Sequence, residues 1–323
     1  MKIGLYSVTY RGVWYRGEAV DLLSLVRLAR QQGWEGLELD AERPHAAPMD
    51  LSADDRKRLR DLAGECGIEL CAVSPNCDLS SPVPVQRETM ISYVRDCIKL
   101  AHDVGSPICK IFAAWRGITL HDGLATYDET YSYNQYGFWK GDRRGFVIAA
   151  MRELCKVAED YGIVLAMQNH GPDVVNRYQE VLEMIEEIGS PVFKGCMDIN
   201  IEPEADSPAH AREMAEKSGK LQVHSHMNGE FARRADGTVG LIAGGYFDNK
   251  FWGRQVAYPS YVEALVANGY QGYMDWEFCH PGLENGKPVG IEYVHRQTEM
   301  AFEYLSGLRA AAEQKVQEAV ATR

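Results

Sequence analysis

The sequence predicts an α/β protein built as one (β/α)₈ barrel over residues 1–323, with long loops after the fourth and seventh strands. Three observations carry this expectation. Short apolar runs alternate strictly with amphipathic stretches, glycine closes several of those stretches, and polar residues gather at the ends of the last four apolar runs. Strict alternation implies a parallel sheet, because parallel neighbours need a crossover between them. A doubly wound open sheet would want a glycine-rich phosphate turn after the first strand. Val8-Thr9-Tyr10-Arg11-Gly12 is no such turn.

The elements follow in order. Lys2–Ser7 reads as the first strand and Glu18–Gln32 as a helix closed by Gly33. Gly36–Asp40 is the second strand, followed by a helix over Asp54–Glu65 that stops near Gly67. Ile68–Ser74 precedes a helix over Arg87–Val104, ended by Gly105. Pro107–Ala113 is the fourth strand and Phe146–Tyr161 its helix, with Gly162 as the stop. Strand five is Ile163–His170 and helix five Tyr178–Ile188; strand six is Val192–Asp198 and helix six Pro208–Ser218. Leu221–His226, a helix over Tyr261–Asn268, Tyr273–Cys279 and a helix from Ile291 to Leu308 complete the set. The Ala-, Glu- and Gln-rich tail, about 309–323, reads as a prolongation of that last helix.

Two connections exceed ordinary loop length. Trp115–Arg144 carries Trp115, Tyr127, Tyr131, Tyr133, Tyr136, Phe138 and Trp139, and Asn228–Pro259 carries Phe231, Tyr246, Phe247, Phe251 and Trp252. Both follow strands, so both fall on the active face of a barrel, where long loops serve as lids or specificity loops. Trp115 is accordingly a candidate substrate contact. The alternative is that these aromatics pack a subunit interface, and an oligomer is expected.

Composition narrows the function classes. An apolar share of 46% with 25% charged residues is that of an ordinary globular protein. A formal net charge of −12 repels phosphate backbones and anionic bilayers, so neither nucleic acid nor membrane is an expected partner. The eight cysteines form no CxxC, and Cys71, Cys109, Cys196 and Cys279 sit in or at the end of apolar runs, which points to reduced, buried thiols. Met1-Lys2-Ile3-Gly4-Leu5-Tyr6 enters a strand pattern with no secretory apolar region, and no apolar run approaches the ~20 residues of a membrane span. A cytoplasmic location is expected.

Strand alternation then sorts side chains by face. Leu165 and Met167, Phe193 and Met197, Leu221 and Val223, and Met274, Trp276 and Phe278 would point outward. Gln168 and His170, Cys196 and Asp198, Gln222, His224 and His226, and Asp275, Glu277 and Cys279 would point into the barrel. Gln168, Asp198, His224 and Glu277 thus converge at the strand ends and would be costly to desolvate with nothing to bind. Two carboxylates, an imidazole and an amide oxygen suit one divalent ion, Mn²⁺ first and Mg²⁺ or Co²⁺ next. The alternative is a polar barrel layer bonded to itself.

The runs Gly162–His170, Met197-Asp198-Ile199-Asn200, Val223-His224-Ser225-His226 and Trp276-Glu277-Phe278, with the opening strand and Gly33–Glu38, resemble the xylose-isomerase-like sugar phosphate isomerase/epimerase superfamily. The resemblance implies a metal held by Glu, Asp, His and Glu from strands five to eight, of which three fall on Asp198, His224 and Glu277. Where the family has the first Glu, this chain has Gln168. In the family's ketose epimerases two metal-bound glutamates exchange the proton, and an amide has no proton affinity near neutral pH. One-base chemistry is therefore expected, with His170 or Glu277 as the base.

Arg43-Pro44-His45-Ala46-Ala47-Pro48-Met49-Asp50, together with Gln168-Asn169-His170 and Val223-His224-Ser225-His226, is similar to a narrower subgroup containing the larger subunit of C-glycoside deglycosidases. That likeness implies a small β-rich partner subunit and elimination from a 3-oxo-C-glucoside: the ketone acidifies the C2 hydrogen and the aglycone leaves from C1. His170 is the candidate base, or else a residue that orients a metal ligand.

Further candidates for substrate contact are His226, His45, Glu38 and Lys110. Layer filling, a solvated loop position and a buried Glu–Lys ion pair are their respective alternatives. Arg233-Arg234 and the acidic loop 202–206 read as solvated surface. The leading expectation is a lyase, or a one-base isomerase, acting on an oxidised sugar conjugate. A free-sugar isomerase or epimerase comes next, then an AP-endonuclease-like repair protein, which the net charge disfavours, and a non-catalytic partner barrel.

Overall fold

The computed structural model describes residues 1–127, 141–171, 174–242 and 255–321. Within them eight parallel strands close a barrel: β1 (Lys2–Tyr6), β2 (Gly36–Asp40), β3 (Glu69–Ser74), β4 (Ile108–Ile111), β5 (Val164–Gln168), β6 (Phe193–Asp198), β7 (Gln222–Asn228) and β8 (Tyr273–Glu277). Each strand pairs with its neighbours in sequence, and β1 pairs with β8 to close the ring. The intervening helices are α1 (Leu22–Gln32), α2 (Ala53–Cys66), α3 (Pro84–Val104), α4 (Arg143–Tyr161), α5 (Tyr178–Ile188), α6 (Pro208–Ser218), α7 (Tyr258–Ala267) and α8 (Ile291–Ala321).

Local chemistry sets the helix ends. Helix α1 starts at Leu22 rather than Glu18 because the Asp21 carboxylate accepts from Ser24 N at 3.0 Å, capping the first turn. A reciprocal Ser52–Asp55 box opens α2. Helix α3 begins at Pro84, where a missing N–H costs nothing. Helix α8 runs on to Ala321, so the tail does prolong it. Gly33 ends α1 at φ 91°, in the left-handed region that a side chain rarely enters.

The long connections carry hairpins of their own. Thr119–His121 pairs with Leu124–Thr126 after β4, and Phe231–Arg233 with Val239–Leu241 after β7. Tyr131, Tyr133, Tyr136, Phe138 and Trp139, and Tyr246, Phe247, Phe251 and Trp252, lie outside the described residues.

The main apolar core fills the space between strands and helices, with Leu165, Met167, Phe193, Met197, Met274 and Trp276 on the outward faces as expected. A small inner plug of Ala72, Ile108, Ala166 and Cys196 closes the barrel floor. Strand β7 departs from simple alternation. Its register against β6 runs Gly195↔Gln222 and then Cys196↔His224, skipping Val223. This bulge lets Gln222 face helix α7, where its Nε2 donates to Tyr261 Oη at 2.8 Å, while Val223 packs on the inner plug. Both assignments reverse the parity expected for these two residues. The extra residue returns the strand to phase, so His224 and His226 still face inward. All eight cysteines are free thiols. No described helix is long and apolar enough to cross a membrane.

Candidate metal centre and active site

The C-terminal ends of β5 to β8 bring Gln168, Asp198, His226 and Glu277 together. Ligand atoms of Asp198, His226 and Glu277 all lie within 4.8 Å of one another. Asp198 and His226 are fully buried, and Glu277 is 8% exposed, so the cluster opens to the barrel mouth through Glu277. The histidine of this group is His226, not the expected His224. Strand register explains the difference, since Asp198 stands beside His226 whereas Cys196 stands beside His224. Alternation assigns residues two apart to the same face but says nothing of depth, and the two imidazoles occupy successive layers.

His224 belongs to the layer beneath. Its Nε2 lies 2.9 Å from Glu38 Oε2 and 3.3 Å from Asp275 Oδ2. The same Glu38 oxygen accepts from His226 Nε2 at 2.8 Å, and the other takes the Ser74 hydroxyl. Glu38 is therefore spent inside the barrel instead of facing substrate. Burial alone would raise its pKa, but the imidazoles of His226 and His224 hold it well below the usual range. Burial opposes the charged form of His224, yet Asp275 and Glu38 outweigh it and lift the imidazole to about 10. His226 is raised too, against burial, by Glu38 and Glu277. Glu38, His224 and His226 could also be viewed as a cation site, but both imidazoles already donate to one carboxylate oxygen.

The upper cluster is short of positive charge. Burial, and next the charge of Glu277, push the Asp198 carboxyl up to about 7. Gln168 Nε2 donates to Asp198 Oδ2 at 2.9 Å and to His226 Nδ1 at 3.3 Å, while its Oε1 is buried with no partner. A half-turn of that amide would exchange the two atoms and offer an orphaned oxygen to a cation beside two carboxylates. Glu38 fixes Nε2 of His226 as the hydrogen-bearing nitrogen and so turns the Nδ1 lone pair toward the cluster, the usual carboxylate–histidine arrangement behind a metal ligand. The residues present fit a divalent ion.

Asn169 and Glu202 brace this cluster from behind. Asn169 Oδ1 accepts from Asp198 N at 2.7 Å, and its Nδ2 donates to Asp198 O at 3.1 Å and Glu202 Oε1 at 2.7 Å. Glu202 Oε1 also accepts from Tyr178 N at 2.7 Å, at the start of α5. Glu202 was expected on the solvated surface and is instead fully buried. Glu202, Glu204 and His210 also cluster, but Arg177 already pairs with both carboxylates, Nη2 2.6 Å from Glu204 Oε2 and Nε 3.8 Å from Glu202 Oε2.

A cavity beside the cluster is lined by Gln168, His170, Glu277, Lys110, Trp115, Phe112, Tyr6, Trp14 and Tyr127. The His170 ring lies 4.3 Å from Trp115 and 5.1 Å from Phe112, centroid to centroid. Its Nδ1 is 2.7 Å from Gly171 O; a carbonyl only accepts, so Nδ1 carries the hydrogen and Nε2 is the basic nitrogen. Burial depresses its pKa to about 4, against the Gly171 bond and with help from the charges of Lys110 and His226. The ring is neutral near pH 7.

The remaining candidates are placed as follows. Lys110 and Trp115 are among the residues that line the cavity. His45 is not among its lining residues: it is 3% exposed with Nε2 on Val20 O at 3.1 Å, and burial lowers its pKa to about 4. Arg233 pairs with Glu303 of α8 at 2.8 Å, out in solvent. Trp14, Asn169 and Glu202 were not anticipated, and Tyr127 was named only among the aromatics of the long loop after β4. Asn169 could have been found, because an amide between two inward polar residues is seldom without a backbone partner. Trp14 and Tyr127 left no periodic signal, since both lie in connections.

Known proteins share the described fold. The chain belongs to the xylose isomerase-like TIM barrel family, which matches residues 26–298. It is 25% identical over 173 residues to 2-epi-5-epi-valiolone 7-phosphate 2-epimerase of Actinoplanes sp., and this match spans about half of each protein, 54% of this chain and 55% of the relative. Among solved structures, D-psicose 3-epimerase superposes with a TM-score of 0.67 at 15% identity, covering 96% of this chain and 99% of the other. The 3-keto-D-glucoside 4-epimerase of E. coli superposes with a TM-score of 0.64 at 16% identity, covering 96% and 99%. These structural likenesses concern the fold.

Proposed function

We propose that this protein is a divalent-metal-dependent enzyme that moves a proton on the carbon beside a sugar carbonyl, as an isomerase or epimerase. The observation that carries the reading is the meeting of Asp198, His226 and Glu277 at the barrel mouth, beside a cavity that also takes in His170. The relatives named as sugar or cyclitol epimerases support the same class. Asp198, Glu277, His226 Nδ1 and Gln168 Oε1 would hold the ion, an oxygen-rich set that suits Mn²⁺, Mg²⁺ or Co²⁺. When bound, such an ion polarises a substrate carbonyl and spreads the charge that develops as the neighbouring C–H bond breaks.

The chain's own groups account for the proton. His170 Nε2 accepts it from the carbon, with the ring held in place by Gly171 O and the faces of Trp115 and Phe112. Return of that proton to the former carbonyl carbon, while the proton of the neighbouring hydroxyl passes to the former carbonyl oxygen, completes an isomerisation. Inversion of the first carbon instead needs a proton on its opposite face, which Glu277, lining the same cavity, would take up from solvent and pass to the carbon. Gln168 takes no part in this exchange, because an amide holds no proton near neutral pH.

Gln168 favours a second reading, elimination by one base. From a 3-oxo-C-glycoside, His170 would take the C2 proton, C1 and C2 would become doubly bonded, and the aglycone would leave C1 with the bonding pair and take up a proton at that carbon. A C-glycoside deglycosidase working with a small β-rich subunit is the specific form of this reading.

One experiment separates the two. Mn²⁺-loaded protein is incubated in D₂O with D-fructose, D-tagatose and an aryl 3-oxo-C-glucoside, and NMR follows carbon-bound deuterium, new isomers and free aglycone. Deuterium in an interconverted sugar supports the first reading; aglycone release that Gln168→Glu slows supports the second. Neither product, from protein holding about one ion per chain, would refute both.

A further inference from the structure

Lys110 reaches from β4 into the barrel and is 1% exposed. Its Nζ lies 4.0 Å from the centroid of the Phe112 ring and 5.3 Å from that of Tyr6. The carboxylate nearest to it, Glu38, comes no closer than 4.0 Å, beyond hydrogen-bond length, and that oxygen already takes the Ser74 hydroxyl. Among the described residues Nζ donates no hydrogen bond. Ring faces compensate part of a buried ammonium, but unmet N–H groups on a charge are costly, and the side chain lines the cavity it shares with Gln168, His170 and Glu277.

We propose that Lys110 Nζ donates to the substrate oxygen that becomes negative when His170 removes the proton, and that this oxygen belongs to an uncharged keto sugar rather than a phosphate ester. The inference rests on the proton-transfer reading above and deepens it by naming the substrate class. One compact cation with unmet donors, facing a cavity that also holds a carboxylate, suits a single oxygen that gains charge during reaction. A phosphate dianion needs several donors at once. Arg11, the other cation lining the cavity, is already held by Glu42 at 2.5 Å and Asp40 at 3.4 Å.

The test uses Mn²⁺-loaded whole protein and glycolohydroxamate, an anionic mimic of an enediolate, with xylitol as a neutral polyol control. Calorimetry gives affinities for wild type, Lys110→Met and Lys110→Arg, while bound manganese and thermal unfolding report on cluster and fold. Lys110→Met is expected to bind glycolohydroxamate about 10- to 100-fold more weakly, the range for a hydrogen bond between charged partners, and xylitol within about twofold. Lys110→Arg should recover part of the loss. Equal affinity for glycolohydroxamate in wild type and Lys110→Met, at equal manganese content, would overturn the role of Lys110, as would wild type that binds none. A phosphorylated hydroxamate binding wild type tenfold more tightly than the plain one would overturn the uncharged-substrate class. Selective loss in Lys110→Met, in a protein that exchanges no sugar proton, would support the contact of Lys110 with an anionic oxygen and overturn the proton-transfer reading instead.

Discussion

Exchanging the two histidines of β7 one at a time separates metal binding from stability, because each serves a different layer. His224→Gln leaves Glu38 and Asp275, both fully buried, without the imidazole that lies 2.9 Å from one and 3.3 Å from the other. Breaking one partner out of a buried charged group costs about 3–5 kcal/mol. Unfolding entropy near 2.1 cal/mol/K per residue gives about 0.7 kcal/mol/K for a chain of 323 residues, so the melting temperature of metal-free protein should fall by about 4–7 °C. His226→Gln removes a cluster nitrogen within 4.8 Å of the Asp198 and Glu277 oxygens, and Mn²⁺ affinity should drop by about 100-fold or more, beyond what loss of an outer partner costs. Elemental analysis after dialysis against buffered free Mn²⁺, with thermal unfolding in chelator, reads both quantities. Manganese lost from His224→Gln and kept by His226→Gln would refute the assignment of layers from strand register.

Other outcomes follow from the same geometry. A Cβ added at Gly4 on β1 would land on the Asp275 carboxylate, so Gly4→Ala should cost about 1–3 kcal/mol and lower the melting temperature by about 2–4 °C, read by calorimetry. Burial pushes the Asp198 carboxyl up to about 7, the His226 imidazole is raised as well, and an ion takes only the ionised carboxylate and the unprotonated Nδ1. Mn²⁺ affinity should therefore fall as pH drops through about 7, by about tenfold per pH unit for each proton displaced, which competition with a chelator across pH 5.5–8 would show. Glu202→Ala would strand the Asn169 amide and Tyr178 N without their acceptor. It should destabilise by about 1–3 kcal/mol per stranded donor and weaken Mn²⁺ binding about 10- to 100-fold, both checked against wild type.

The barrel was legible because its signals are local and repeated. Gly33, Gly67, Gly105 and Gly162 stop helices wherever the apolar pattern ends, and each strand neighbours the next in sequence, so no long-range pairing had to be guessed. The faces of β5, β6 and β8 followed from alternation alone. Depth did not. Whether His224 or His226 meets Asp198 depends on the stagger between β6 and β7, and the bulge at Val223 that sets it has no signature in a run as short as Leu221–His226. Glu202 misled for a related reason. An acidic residue in an acidic loop reads as solvated, and only the tertiary approach of Asn169 and the N-terminus of α5 shows why it is buried.

Gln168 shows how the layers act together. Asp198 and Glu277 bring two negative charges to the cluster, and a divalent ion would balance them with a neutral imidazole and a neutral amide completing the set. A third carboxylate at position 168 would leave the centre net negative and add a second group able to accept a proton. The amide removes that charge and that base together, and the pair beneath it keeps the geometry: Glu38 orients His226, and His224 with Asp275 satisfies the rest of Glu38's layer. A charge-balanced centre draws electron density from a bound carbonyl more strongly than a negative one does, so acidity of the substrate C–H is favoured at the expense of metal affinity. Proton removal then falls to a group outside the ligand set. His170, neutral near pH 7 with its Nδ1 hydrogen fixed on Gly171, meets that requirement, and under the proposed function Gln168 and His170 would divide the work that a single carboxylate does where it both holds the ion and takes the proton.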